Sequence, residues 1–436
     1  VATLTTALFW LPVSIEAAPP SLAETATETR TENLPLSMAR QAQAAGDWGE
    51  ACYWYDFYLT RERNHPEVKK EFLLCLRNYY RGYRHSDPSF AHQVQSPDFK
   101  IGQALKFYEE VIAKIQKNYV DAEKATLGRL FREGVAELKL SLEDKKFRQM
   151  YVPDERQGRI SGYLEVLRKR LLETPDLANA GALIREATRL SREAADVLGI
   201  DRRVVIVEFA CGACNALDEY TFYISTSAAY AGRSGKTVDD KEGVKDGIGV
   251  LGISSFQETT VQELETALAT YKAQGMQVLI LDLRDNRGGS VEVAVDVVRR
   301  FLPDGSPIAS TAGKVSVPYQ SYTMTPLAMP LFVLIDGATA SAAELVAGAL
   351  KANKRAELIG QTTYGKNWIQ QMVPIGQAPH GVICITWAQF FLPGTSDLSK
   401  GITPDIAVPS TPMNVQLDRV RQVALDRARM LTAIMR

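Results

Sequence analysis

The run Val278-Leu-Ile-Leu-Asp-Leu283 is apolar at five of its six positions and does not alternate. A strand with one wet face alternates with period two, so this run reads as a strand covered on both faces. Gly247 to Phe256, Leu331 to Ile335, Ala356 to Ile359 and Val382 to Phe391 read as further strands. Helical patterns lie between several of them. Thr260-Val-Gln-Glu263 has the spacing of a capping box and opens one that carries Val261, Leu264, Leu268 and Tyr271 and ends at Gly275. Another follows the turn at Asp285 to Gly289 and runs to about Leu302, and a third covers Ser341 to Leu350. Strands alternating with helices imply an α/β layer architecture with crossover connections.

The preceding half differs. From 36 to 220 apolar residues recur at spacings of three and four, as in Leu105, Tyr108, Val111, Ile112 and Ile115, which predicts helices. Ala42 to Ala51 followed by Tyr53 to Leu59 resembles one tetratricopeptide hairpin, but no second copy recurs at a fixed period, so an irregular helical bundle is expected. Residues 1–35 read as a remnant signal and linker: Leu4 to Ile15 is apolar but too short to span a membrane, and Thr, Glu, Ala and Pro follow. That stretch predicts export, with membrane contact only through an N-terminal signal or anchor. The segment 221–245 reads as a linker, 246–410 as the α/β core, and 411–436 as a C-terminal helix.

A net charge of -1 over 436 residues gives no general attraction to nucleic acid. Five cysteines imply no disulfide framework. Cys211-Gly-Ala-Cys214 has the spacing of a redox or zinc half-site, but no second pair supplies the other zinc ligands. No metal or cofactor is expected.

Three segments are placed where strands end and helices begin. In Ile335-Asp-Gly-Ala-Thr-Ala-Ser341-Ala-Ala-Glu344, Ser341 sits at a helix start. It is either a cap or a nucleophile next to backbone N–H groups, that of Ala342 first, which stabilise an oxyanion. In Thr362-Thr-Tyr-Gly-Lys366-Asn-Trp-Ile-Gln370, Lys366 is either a surface side chain or a base. As a base it must be neutral, and Tyr364, Trp368 and Ile369 are candidates to desolvate it, with Gln370 to hold it. In Asp282-Leu-Arg-Asp-Asn-Arg-Gly288-Gly289, the paired glycines allow close backbone approach. Of four histidines only His380 lies outside the helical half, which disfavours a Ser-His-Asp triad.

Together these segments resemble the carboxyl-terminal processing (tail-specific) serine peptidases. The matching stretches are Leu281 to Gly289, Thr339 to Glu344, Tyr364-Gly-Lys366 with Gln370, and Gly401-Ile-Thr-Pro-Asp405, with weaker echoes at Lys117 to Val120 and Ala216 to Thr221. The resemblance implies a ClpP/crotonase-like core preceded by a helical region. It also implies Ser341 as nucleophile, Lys366 as base, Gln370 as its orienter, and Gly288 or Gly289 with Ala342 as the oxyanion hole. The implied substrates are exported proteins or peptides cut near disordered C-termini, and an adaptor on the helical region is a further implied partner. Three departures stand out. Arg287 replaces the usual Pro, Asn367 the usual Gly, and no PDZ domain fits between Tyr223 and Asp246. Loss of that domain leaves open a catalytically silent scaffold acting through the helices. A crotonase-type acyl-CoA enzyme is the remaining alternative.

Overall fold

The structure, a computed structural model, describes residues 34–60, 62, 65–173, 177–225, 235–395, 397–408, 420–423 and 425–426. The expected N-terminal signal therefore lies outside the described residues, as does most of the expected helix over 411–436. The described chain divides into two compact units. One, up to residue 225, also takes 370–387; the other takes 235–369 and the residues after 387. The chain thus passes from one unit to the other within two of its strands.

The first unit is helical, as its periodicity predicts. Helices α1 (Leu34–Ala45) and α2 (Trp48–Leu59) form a hairpin that turns at Gly46 and Asp47, and α3 (Pro66–Ser86) packs on α2. Then come α4 (Pro88–Gln95), α5 (Ile101–Asn118), α6 (Leu127–Glu143), α7 (Lys145–Tyr151), α8 (Ile160–Leu172), α9 (Ala180–Leu198) and α10 (Arg202–Asn215). The ends follow local chemistry. Asp87 caps α4 ahead of Pro88, Asn179 caps α9, and Gly199 ends α9 at φ +72°. Every residue of α10 from Val204 to Cys214 is buried, so this helix is the unit's core. Gly212 explains how closely α6 approaches it: a Cβ there would lie 2.5 Å from the Glu133 carbonyl oxygen. Cys211-Gly-Ala-Cys214 is thus a packing element, with both thiols buried and free. Burial pushes the Cys214 thiol up to about 12, the opposite of a reactive cysteine.

Strand β1 (Phe222–Ser225) pairs antiparallel with residues 381–384 of β10 (Gly381–Phe391), and β9 (Trp368–Ile375) also pairs with β10. Strand β2 (Val238–Lys245) belongs to the second unit. Residues 222–225 and 238–245 are therefore strands, not the linker expected over 221–245. The signal was hidden because β2 is an edge strand rich in Asp, Lys and Glu, with an irregular register between Asp240 and Val244.

The second unit is built on a sheet of order β11-β8-β7-β4-β3-β2. Its strands besides β2 are β3 (Ile248–Ile253), β4 (Val278–Asp282), β7 (Leu331–Ile335), β8 (Glu357–Gly360) and β11 (Ile406–Ala407). All pairs are parallel except β2 with β3. Strand β4 is central and buried at all five positions, as a run without polar alternation leads one to expect. Each of its four apolar side chains contributes about 1.5–3 kcal/mol, and the fifth, Asp282, is buried in an ion pair with Arg284. Helices α11 (Thr260–Ala273), α12 (Val291–Arg299) and α13 (Ala342–Ala352) connect the strands. A further antiparallel set, β5 (Pro307–Gly313) with β6 (Pro318–Gln320) and with residues 388–391 of β10, was not foreseen. The capping box is corrected: the Glu263 carboxylate accepts the N–H groups of Thr237 and Val238 at 2.7 and 2.9 Å and so anchors the start of β2. Among the described residues no helix is long and apolar enough to cross a membrane.

Candidate active site

Three loops meet at the C-terminal ends of the parallel strands β4, β7 and β8. The loop after β4 is tied to the loop after β7 by three contacts. The Thr339 hydroxyl donates to the Leu283 carbonyl at 2.9 Å, the Ala340 N–H donates to the Asn286 carbonyl at 2.9 Å, and the Asp285 N–H donates to the Asp336 carboxylate at 3.2 Å. The loop after β8 joins them where the Tyr364 N–H donates to the Thr339 carbonyl at 2.9 Å.

Ser341 stands immediately before α13 with φ +57° and ψ -119°. A capping serine has extended backbone; a non-glycine residue at positive φ is strained and holds that shape only when its surroundings enforce it. Its side chain makes no capping hydrogen bond, and the residue is 2% exposed. Ser341 thus heads α13 in a capping box closed by Glu344, with a backbone that departs from the extended shape of an ordinary cap. What enforces the conformation is Glu344, one turn along α13. Its Oε2 accepts the Ser341 N–H at 2.9 Å and the Lys366 N–H at 2.8 Å. Its Oε1 accepts the Gly365 N–H at 2.6 Å and the Thr363 hydroxyl at 2.5 Å. Burial pushes the Glu344 carboxyl up to about 7, against these four donors, which favour the charged form.

Lys366 is 2% exposed, so the surface alternative fails. Its loop is braced from several sides. The Thr363 N–H donates to the Ile402 carbonyl at 3.1 Å, and the Ile402 N–H returns to the Thr363 hydroxyl at 2.7 Å. Gly365, at φ +91°, lies so close to residues 399–401 that a Cβ would sit 2.5 Å from the Ser399 carbonyl oxygen. Asp405 fixes the same strap, accepting the Leu358 N–H at 2.8 Å and pairing with Lys351 at 2.8 Å. Asn367, where the resembled pattern has glycine, is buried and bonds β10: its Nδ2 donates to the Phe390 carbonyl at 3.2 Å and its Oδ1 accepts Gln389 Nε2 at 3.0 Å. Trp368 is 38% exposed and forms little of the cover that was expected of it.

The glycine pair has two different roles. The Gly288 N–H donates to Asn286 Oδ1 at 2.8 Å, so this donor is engaged within its own loop. Gly289, at φ +145°, runs beside Phe256, and a Cβ would fall 2.3 Å from the Phe256 carbonyl oxygen. Ala342, the first residue of α13, has no acceptor for its N–H within its own helix. Gln370 lies in the helical unit, buried on β9, where its Nε2 donates to Thr386 Oγ1 at 3.2 Å. His380 is exposed in the loop after β9, and its N–H donates to Gln93 Oε1 at 2.7 Å. The buried Asn286 and Glu344 received no role from the sequence. The Ser341-x-x-Glu344 spacing was the available signal, since it matches a capping box.

Residues 247–408 match the model described as Peptidase family S41. Over 199 residues the chain is 35% identical to a carboxyl-terminal-processing protease of Picosynechococcus sp., covering 43% of this chain and 46% of that one. It is 36% identical over 174 residues to a carboxy-terminal-processing protease of Bartonella bacilliformis, covering 38% and 39%. The chain thus spans less than half the length of these relatives. Among solved structures it is similar to a photosystem II D1 C-terminal processing protease, at 19% identity and a TM-score of 0.41, over 74% of this chain and 97% of that one. The likeness to peptidase family S41 thus spans residues 247–408 of this chain.

Proposed function

We propose that the protein is a serine endopeptidase of the carboxyl-terminal processing type, with Ser341 as nucleophile and Lys366 as general base. The observation that carries the reading is the strained Ser341 backbone at the head of α13, pinned by the same carboxylate oxygen that holds Lys366. Strain at a buried serine has no use in a cap, whereas it can present a hydroxyl to a substrate.

In this mechanism Ser341 Oγ attacks the scissile carbonyl carbon and its proton passes to neutral Lys366 Nζ. The N–H groups of Ala342 and Gly289 stabilise the oxyanion. Gly288 can join only if its bond to Asn286 opens. The C–N bond then breaks, the leaving amine takes the proton from Lys366, and an acyl-enzyme remains. Water attacks the ester carbonyl carbon, giving a proton to Lys366; the C–Oγ bond then breaks, Lys366 returns the proton to Ser341 Oγ, and the product leaves with a new C-terminal carboxyl group. No step needs a cofactor. The substrates we assign are exported proteins cut near disordered C-terminal tails, and the protein itself is assigned to the periplasmic side of the cell.

A serine-directed covalent reagent tests the core of this. Adduct on Ser341 in the parent, with labelling slowed at least roughly 10²-fold in Lys366→Ala, is expected. Equal labelling of parent and Lys366→Ala at neutral pH would remove the lysine from the mechanism.

A further inference from the structure

In the helical unit, α2, α3 and α7 wall a cleft of about 600 Å³. Arg81 on α3 is part of that wall and is only 2% exposed. Its Nη2 donates to Asn78 Oδ1 and lies 3.6 Å from Asp144 Oδ2, while its Nε and Nη1 have no partner. Unsatisfied donors on a buried cation are costly, and a planar guanidinium is suited to a carboxylate. Of the two acidic residues of the wall, Asp144 accepts the N–H groups of Lys146 and Phe147 through Oδ1 at 2.7 and 3.1 Å and keeps Oδ2 beside Arg81 Nη2, and Asp47 accepts the N–H of Glu50 at 3.1 Å, so neither reaches Arg81 Nε or Nη1. Lys146 adds a second positive charge.

Beside His85 and Ser86, the rest of the wall is largely aromatic and apolar. Tyr79 and Tyr83 stack with centroids 6.3 Å apart, and Phe147 and the half-exposed Met150 face the same space. Gly82 opens the wall further, since a Cβ there would meet no atom within 4 Å.

We infer that this cleft binds the C-terminal carboxylate of an extended polypeptide whose last side chain is apolar. The carboxylate pairs with Arg81 and the side chain lies against the tyrosines. A single negative charge fits better than a phosphate dianion, because Asp144 stands 3.6 Å from the same guanidinium. Entry requires the Arg81 head to turn toward the cleft, a rotamer change common on binding. This rests on the reading that the chain acts on polypeptide tails.

The test measures binding apart from cleavage, using the full chain with Ser341→Ala and a fluorescent peptide ending in leucine. Anisotropy should report saturable binding of the free acid, at least about 10-fold weaker binding of the C-terminal amide, and a similar loss with Arg81→Met. Gly82→Leu fills the cleft while favouring the helix, and should abolish binding with the fold intact by circular dichroism. Equal binding of acid and amide, unchanged binding by Gly82→Leu, or no binding at all would overturn the inference. Equal competition by N-acetyl-leucine would replace the polypeptide by a small acid and overturn it also. Cleavage by the parent without such binding would leave the peptidase reading standing and remove this one.

Discussion

Ser341 and Lys366, 25 positions apart in the chain, present their backbone N–H groups to one oxygen atom, Oε2 of Glu344, at 2.9 and 2.8 Å. The relative position of the two loops is set by that carboxylate. In Glu344→Gln the amide nitrogen would face backbone donors that it cannot accept from. We expect kcat to fall by roughly 10²-fold, as for a misplacement of about 1 Å, with KM little changed and stability reduced by about 1–3 kcal/mol. Steady-state kinetics and urea unfolding check both.

Glu344 also predicts a pH dependence of stability. Its folded pKa, about 7, lies above the ordinary carboxyl value of 4.5. The folded state therefore binds this proton more tightly. The stabilisation is complete below about pH 4.5 and is lost as pH rises through about 7. The parent should lose stability relative to Glu344→Gln between pH 5 and pH 8, measured as the difference in urea midpoints. A difference that grows with pH would contradict the sign.

Activity should move the other way. A lysine base acts only when neutral, so kcat/KM should rise with pH on the acidic side. A profile flat from about pH 5 to 9 would count against Lys366 as the base.

Gly289→Ala tests the glycine pair. At φ +145° with a Cβ 2.3 Å from the Phe256 carbonyl oxygen, the backbone has to shift. Activity should fall at least roughly 10²-fold, as when an oxyanion donor is lost. Gly305→Ala, at a positive-φ glycine with no atom within 4 Å of the added Cβ, should cost about 1 kcal/mol of strain and leave kcat unchanged.

In the helical unit Arg84 is buried against Glu208 at 2.9 Å and Glu137 at 3.4 Å, and Glu208 also accepts the Ser141 hydroxyl at 2.7 Å. Glu208→Ala would leave the guanidinium underpaired, and a loss of about 3–5 kcal/mol is expected in thermal or urea unfolding.

The central parallel strands and the helix periodicities could be read directly, because a non-alternating run such as 278–283, apolar at five of six positions, fits a strand covered on both faces. The loops carrying Ser341, Lys366 and the glycines were also visible, through residue types in a fixed order. Strand β2 was not, because its charged residues sit at a sheet edge where burial leaves no pattern. Nor were β5 and β6, whose exposed and short stretches resemble loops. The positive φ of Ser341 and the four-donor cradle of Glu344 depend on contacts across the fold, for which a local sequence window holds no signal. The burial of Arg81 with Nε and Nη1 unsatisfied is another such case, since a lysine- or arginine-rich helix reads as a solvated face.

The most direct measurement is cleavage of an unstructured test protein by the purified chain beside Ser341→Ala and Lys366→Ala, with fragments identified by mass spectrometry. The account predicts defined cuts by the parent and a rate lower by roughly 10³-fold or more in each variant. Cleavage that persists in Ser341→Ala, or no cleavage by a parent whose Ser341 also resists covalent labelling, would contradict it.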